Sequence, residues 1–299
     1  MMRIDAHQHY WSLRRGDYAW LTPSEVGLYR DFTPDDLSPA LADCTVHATV
    51  LVQAAPTEGE SRFLLDLARR HPSIAGVVGW TDFEASDVAE RVSRLVRDGQ
   101  GMLIGLRPMV QDIIDPDWLD RRSLDAAFEA MMVNDLAFDA LVMPRNLGAL
   151  ARRVRRHPHL RTVVDHAGKP DIAAAQVEPW TGLLEQLAHS PSVHCKLSGL
   201  LTQAKPGAGA AELDAFVARV FSCFGADRVM WGSDWPVVTL RATYQEWLEM
   251  SLELVRRYAP GGEDAVFGEN AVRFYQLESA RSAQPAAGDG GRNDGVGPV

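Results

Sequence analysis

Eight short runs of apolar and β-branched residues alternate with longer stretches of helical period. That alternation limits the chain to a parallel sheet wrapped by helices. The runs cover residues 3–9, 48–54, 74–81, 102–107, 137–142, 162–166, 193–198 and 229–234. Between them, residues 60–71, 88–97, 124–133, 147–156 and 213–224 repeat apolar side chains at three- and four-residue spacing. Ser86 with Asp87, Ser123 and Asn146 stand where helices begin and suit caps. Eight βα units in about 250 residues match the count and length of a closed barrel. An open doubly wound sheet is the competing arrangement. It lacks support, because no Gly-X-Gly-X-X-Gly turn follows the first run to cradle a dinucleotide. The expectation is one α/β domain, a (β/α)8 TIM barrel over residues 1–277. A long segment, residues 11–34 with Trp20 and Tyr29, distorts it by looping over the mouth. Residues 278–299 are rich in Gly, Ala, Ser and Pro and are expected to be a disordered tail.

Composition narrows the function. The formal charge of −10 disfavours a nucleic-acid partner, since no basic patch dominates. No apolar run approaches the roughly 20 residues of a membrane span, and the N-terminus carries no signal-peptide pattern. Three scattered cysteines, Cys44, Cys195 and Cys223, form neither a zinc-ribbon spacing nor a disulfide framework. A cytoplasmic enzyme is the expectation; a homo-oligomer is left open. Lysine occurs only at positions 169, 196 and 205, so a lysine inside a strand draws notice.

In a barrel the chemistry comes from the C-terminal ends of several strands. The first run delivers His7 and His9, two residues apart, so the pleat puts both imidazoles, and Asp5, on one face. The second delivers Gln53, the third Trp80, the fourth Arg107. The fifth holds Asp139 near its middle and ends without a polar group. The sixth gives Asp165 and His166, followed by Lys169. The seventh gives Lys196 and Ser198, and the eighth Asp234 with Trp235. Each has an ordinary reading: a satisfied structural imidazole, a turn cap, an ion-paired strand charge. Asp5 and Asp165 read as partners that orient histidines. His47, His71, His157, His159 and His189 read as surface residues. Jointly, His7, His9, His166 and Asp234 make a set that can ligate one Zn²⁺ and leave a position open for water. Asp234 can then take a proton from that water.

This pattern resembles the amidohydrolase superfamily. Asp5-Ala-His-Gln-His-Tyr-Trp, Leu106-Arg-Pro, Asp165-His-Ala-Gly-Lys-Pro, Cys195-Lys-Leu-Ser-Gly-Leu, Gly232-Ser-Asp-Trp-Pro and Asn270-Ala-Val-Arg-Phe-Tyr are similar to its sugar-lactone hydrolase branch, over the whole chain to about Leu277. That branch includes fuconolactone, rhamnonolactone and pyrone-dicarboxylate lactone hydrolases, and the resemblance is strongest to the L-fuconolactone group. The resemblance implies hydrolysis of a small sugar lactone to its aldonic acid. A binuclear site would need a bridging Lys or Glu on strand four and a His on strand five. Here strand four ends in Arg107 and strand five has no His, so at most one divalent metal is expected, Zn²⁺ in the first instance. The branch also includes metal-free lactonases. No organic cofactor is expected. The catalytic set is then Asp234, His166, Arg107 and Lys196, with Gln53, Trp80 and Trp235 against the sugar. Two alternatives stand beside it: a metal-dependent decarboxylase of an aromatic or unsaturated acid with Arg107 as carboxylate clamp, and a catalytically silent barrel that binds a sugar acid.

Overall fold

The computed structural model describes residues 2–277; the expected tail lies outside the described residues. Eight strands, β1 (Ile4–Gln8), β2 (Ala48–Val52), β3 (Ile74–Gly79), β4 (Leu103–Leu106), β5 (Ala137–Ala140), β6 (Thr162–Val164), β7 (Val193–Leu197) and β8 (Val229–Trp231), pair in sequence order, each neighbour parallel. The seam between β8 and β1 is joined just beyond the strands. Asp234 N donates to His7 O at 2.8 Å and His9 N to Trp235 O at 2.7 Å. The result is the (β/α)8 barrel that the period-two and period-3.6 alternation requires.

The helices are α1 (Pro34–Asp43), α2 (Glu58–Arg70), α3 (Val88–Gly99), α4 (Asp125–Val133), α5 (Leu147–Arg156), α6 (Trp180–Ala188), α7 (Ala210–Phe224), α8 (Tyr244–Tyr258) and α9 (Asn270–Tyr275). Their apolar faces pack on the barrel. In α3, for example, Val88, Val92 and Leu95 are buried at helical spacing, while Arg91 and Arg94 face outward to ion pairs. A second cluster, including Ile4, Val50, Val52, Val78, Ile104, Val163 and Met230, continues into Phe274, Tyr275 and Leu277 of the C-terminal segment. No described helix is long and apolar enough to cross a membrane.

All eight expected runs form strands, but the strands stop one to three residues earlier. At β6 and β8 the cause is backbone handedness: His166 and Asp234 have φ of +53° and +58°, outside the extended region. A second difference lies in β1. Its pairing with β2 shifts register between Asp5 and Gln8, which breaks the two-residue alternation. Asp5 therefore does not share a face with the imidazoles. Its carboxylate takes Ser233 Oγ at 2.5 Å and Tyr244 Oη of α8 at 3.0 Å, and it orients no histidine ring. The 11–34 segment folds back on itself through a Trp11–Phe32 bridge and reaches the mouth through Trp20, whose indole Nε1 donates to Ala54 O at 2.7 Å.

Candidate active site

At the C-terminal end of the barrel, Asp234 Oδ1 is ringed by imidazole nitrogens. His9 Nε2 lies at 3.3 Å, His7 Nε2 at 3.8 Å and His166 Nε2 at 3.8 Å. Ligating atoms of His7, His166 and Asp234 all fall within 4.8 Å of one another. In a tetrahedral zinc site with bonds of about 2.0–2.1 Å the ligand atoms stand about 3.4 Å apart, so the spacing suits one ion. The far side of each ring is also engaged. His9 Nδ1 meets Val52 O at 2.7 Å; a carbonyl only accepts, so that nitrogen carries a proton. His166 Nδ1 meets Ser198 Oγ at 2.8 Å. His7 Nδ1 faces Asp165 Oδ1 at 3.4 Å and Lys196 Nζ at 3.2 Å. Such outer contacts fix the orientation of ligating imidazoles.

Local backbone delivers these rings. His166, Ala167, Gly168 and Lys169 form a run of four left-handed residues, a conformation that costs roughly 1–3 kcal/mol at each non-glycine position and is stored where surroundings over-determine it. Here Trp180 Nε1 clamps Ala167 O at 2.7 Å. Two glycines make room. A Cβ on Gly199 would stand 2.5 Å from His166 Nδ1, and one on Gly232 would stand 2.6 Å from His7 Cβ.

Electrostatics set the protonation states. Burial alone would raise the Asp234 carboxyl, but His166, His9 and His7 overcome it and hold it well below the usual carboxylate range. Burial pushes His166 down to about 4 against the pull of Asp234 and Asp165. Burial and the Lys196 ammonium push His7 down as well. At neutral pH the carboxylate is ionised and these two imidazoles are neutral, the forms that donate to a metal.

Beneath the site runs a buried charge network. Lys196 Nζ bonds Asp139 Oδ2 at 2.5 Å and Asp165 Oδ1 at 3.1 Å. Asp165 Oδ2 takes Arg107 Nη1 at 3.2 Å, and Tyr275 Oη of α9 donates to Asp139 at 2.7 Å. Burial would raise Asp165, but Lys196, His7 and Arg107 hold it well down. Asp139 is pushed up to about 6 by burial despite Lys196.

A cavity of about 240 Å³ opens above the ring of imidazoles. It is lined by His9, Arg107, His166 and Asp234, and by Trp20, Ala54, Met109, Gln111, Asp112, Leu141, Lys169, Thr202 and Val237. At roughly 30 Å³ per water it holds about eight waters, or one small ring. Four residues, Lys196 expected at the reacting centre and Gln53, Trp80 and Trp235 expected against the sugar, are absent from the cavity lining. Lys196 is fully buried below the cavity, because two carboxylates hold its ammonium there. Gln53 turns inward: Nε2 donates to Arg107 O at 2.6 Å, and the Gln53 backbone carbonyl takes the Arg107 guanidinium. Trp80 is away from the cavity lining, with its backbone N and O tied to Ser61 Oγ of α2. Trp235 packs edge-on against Tyr10 and Phe32. Trp20, Gln111 and Lys169 take the cavity positions instead. Trp20 and Lys169 carry sequence signals, an aromatic in an overlong loop and one of three lysines; Gln111 carries none. His157, read as a surface residue, is buried against Phe128.

The amidohydrolase family pattern matches residues 4–277. The chain belongs to the amidohydrolase family. Among curated relatives, this amidohydrolase is 44% identical to an L-fucono-1,5-lactonase of Burkholderia ambifaria, covering 95% of this chain and 99% of the relative. It is 35% identical to an L-fucono-1,5-lactonase of Burkholderia multivorans, again over 95% and 99%. Among solved structures, an amidohydrolase from Burkholderia multivorans with bound zinc superposes with a TM-score of 0.86 at 34% identity, over 93% of this chain and all of that one.

Proposed function

We propose that this amidohydrolase opens the ring ester of a sugar lactone, L-fucono-1,5-lactone in the first instance, to give the aldonic acid. The observation that carries the reading is a buried, ionised Asp234 ringed by imidazoles on the floor of a cavity the size of one sugar ring. The two lactonase relatives that span the chain supply the substrate class.

A lactone suits this site. Its carbonyl is more electrophilic than an amide's, and the ring locks the reactive cis-ester geometry. Asp234 accepts a proton from a water beside Oδ1 as the water oxygen bonds the carbonyl carbon. The carbonyl electron pair moves onto oxygen, and donors lining the cavity meet that charge. Collapse of the adduct breaks the carbon–ring oxygen bond, and Asp234 returns its proton to the departing oxygen. The new acid then ionises to solvent. Lys196 acts from behind this centre, holding Asp165 and facing His7 Nδ1; Arg107 also holds Asp165 but lines the cavity, with Nη1 3.3 Å from His7 Nε2. His7, His166 and Asp234 would hold one zinc ion, with His9 Nε2 beside them at 3.3 Å from Asp234 Oδ1; that ion would supply Lewis acidity and favour ionisation of a neighbouring water. Unpaired Cys44, Cys195 and Cys223 suit the reducing cytoplasm, where we place the reaction.

The test is acid release from L-fucono-1,5-lactone followed with a pH indicator, with zinc content and carbon dioxide measured alongside. Asp234→Asn is expected to lose about 10³-fold or more in kcat, within the range for a general base, while its circular dichroism and melting stay those of the parent. Full turnover by that variant, or carbon dioxide in place of simple acidification, refutes the reading.

A further inference from the structure

We propose that Lys169, paired with Gln111, is the cation that meets the negative charge born in this reaction, first on the oxyanion and then on the product carboxylate. The inference rests on the lactonase reading and deepens it by assigning a catalytic contact.

Three cations surround the centre, and their partners separate them. Lys196 is spent on Asp139 and Asp165. Arg107 lines the cavity, but its Nη atoms go to Asp165, to His7 Nε2 and to Gln53 O. Lys169 also lines the cavity, yet it forms no ion pair among the described residues; its ammonium donates to the neutral amide oxygen of Gln111. That amide is fixed from both sides of its own backbone, where Gln111 N donates to Leu141 O at 3.0 Å and Arg145 donates to Gln111 O at 2.7 Å. The left-handed run that presents His166 also presents Lys169, closed by Lys169 N donating to His166 O at 2.9 Å. The ammonium is thus held at the cavity wall with its charge uncommitted.

The charge arithmetic of the reaction gives such a group its task. The lactone is neutral. When Asp234 takes the proton of the attacking water, its negative charge reappears on the former carbonyl oxygen. After collapse Asp234 is ionised again, and the product adds a second carboxylate beside it. A fixed cation therefore attracts the transition state and the product more than the substrate, and only such differential binding speeds the chemical step.

Wild-type turnover of L-fucono-1,5-lactone is measured first; an inactive wild type sinks the lactonase reading and leaves the binding measurement below to decide the role of Lys169. In Lys169→Met, kcat is expected to fall about 100-fold, as when one oxyanion donor is removed, with KM changed less than about threefold. Calorimetry with L-fuconate, needing no turnover, is expected to show binding weakened about tenfold or more, one buried charge contact's worth. A kcat within threefold of wild type, a loss confined to KM, or unchanged L-fuconate binding overturns the proposal. Should Lys169→Met not fold, Lys169→Gln carries the same expectations, since it keeps a hydrogen-bond donor and drops the charge.

Discussion

Replacing Lys196 by Met removes the ammonium that Asp139 and Asp165 share. All three side chains are fully shielded from solvent, so the carboxylates cannot recover by hydration. Asp165 keeps Arg107 at 3.2 Å; Asp139 keeps only the Tyr275 hydroxyl at 2.7 Å among the contacts that faced it. Breaking a buried pair in this way costs about 3–5 kcal/mol, which corresponds to a fall in melting temperature of roughly 10 °C for a domain of this size. The loss should depend on pH. Asp139 already stands at about 6 with Lys196 pulling it down, and without that pull it rises further. A carboxyl raised in the folded state gives its full stabilisation below its unfolded value, and that stabilisation is lost as pH rises through the folded value. The gap between wild type and variant is therefore widest at pH 8, narrows as pH falls to about 6 and is level from there toward 4. Urea denaturation at pH 8 and pH 5 measures it. Adding Asp139→Leu to Lys196→Met should restore at least half of the loss, because an apolar pair replaces an ionic one. A gap independent of pH, together with a double variant no more stable than Lys196→Met, refutes the account of Asp139 and Lys196 as a matched buried pair.

Other residues carry further expectations. Gly199→Ala puts a methyl 2.5 Å from His166 Nδ1 at a φ of +62°; kcat/KM should fall about 100-fold as the ring is displaced, read by steady-state kinetics beside a melting curve. Ser198→Ala deprives His166 Nδ1 of its partner and should weaken zinc binding about 10–100-fold, measured by competition with a chromophoric chelator; unchanged affinity would count against His166 as a ligand. Glu60 accepts from Ala54 N and Ala55 N beneath the Trp20 anchor, and burial pushes it up to about 7. Wild type should thus lose stability as pH rises from about 4.5 through 7, and Glu60→Gln should flatten that slope in urea titrations.

How much of this was legible follows from where periodicity exists. Strands and helices announce themselves by spacing, so the eight strands and the barrel were readable, as was the gathering of His7, His9, His166 and Asp234 once strand ends were aligned. Inward and outward assignments failed where the period itself breaks. The register shift in β1 sent Asp5 toward α8, and the end of β2 turned Gln53 toward Arg107 instead of the cavity. Loops have no period at all. Gln111 and Met109 reach the cavity from the segment after β4, and Lys169 reaches it only because four consecutive residues adopt left-handed backbone, a choice that tertiary contacts such as Trp180 to Ala167 enforce and local sequence does not announce.

The seam between the first and last strands has a consequence for how the molecule comes into being. His7 and His9 stand at one end of the sequence and Asp234 near the other, and the bonds that stitch the barrel shut, Asp234 N to His7 O and His9 N to Trp235 O, are those that assemble the reacting centre. A nascent chain is therefore inert until Asp234 and Trp235 have left the ribosome and closed onto the first strand. During refolding, the return of turnover acts as a clock for closure of the β1–β8 seam rather than for collapse or helix formation.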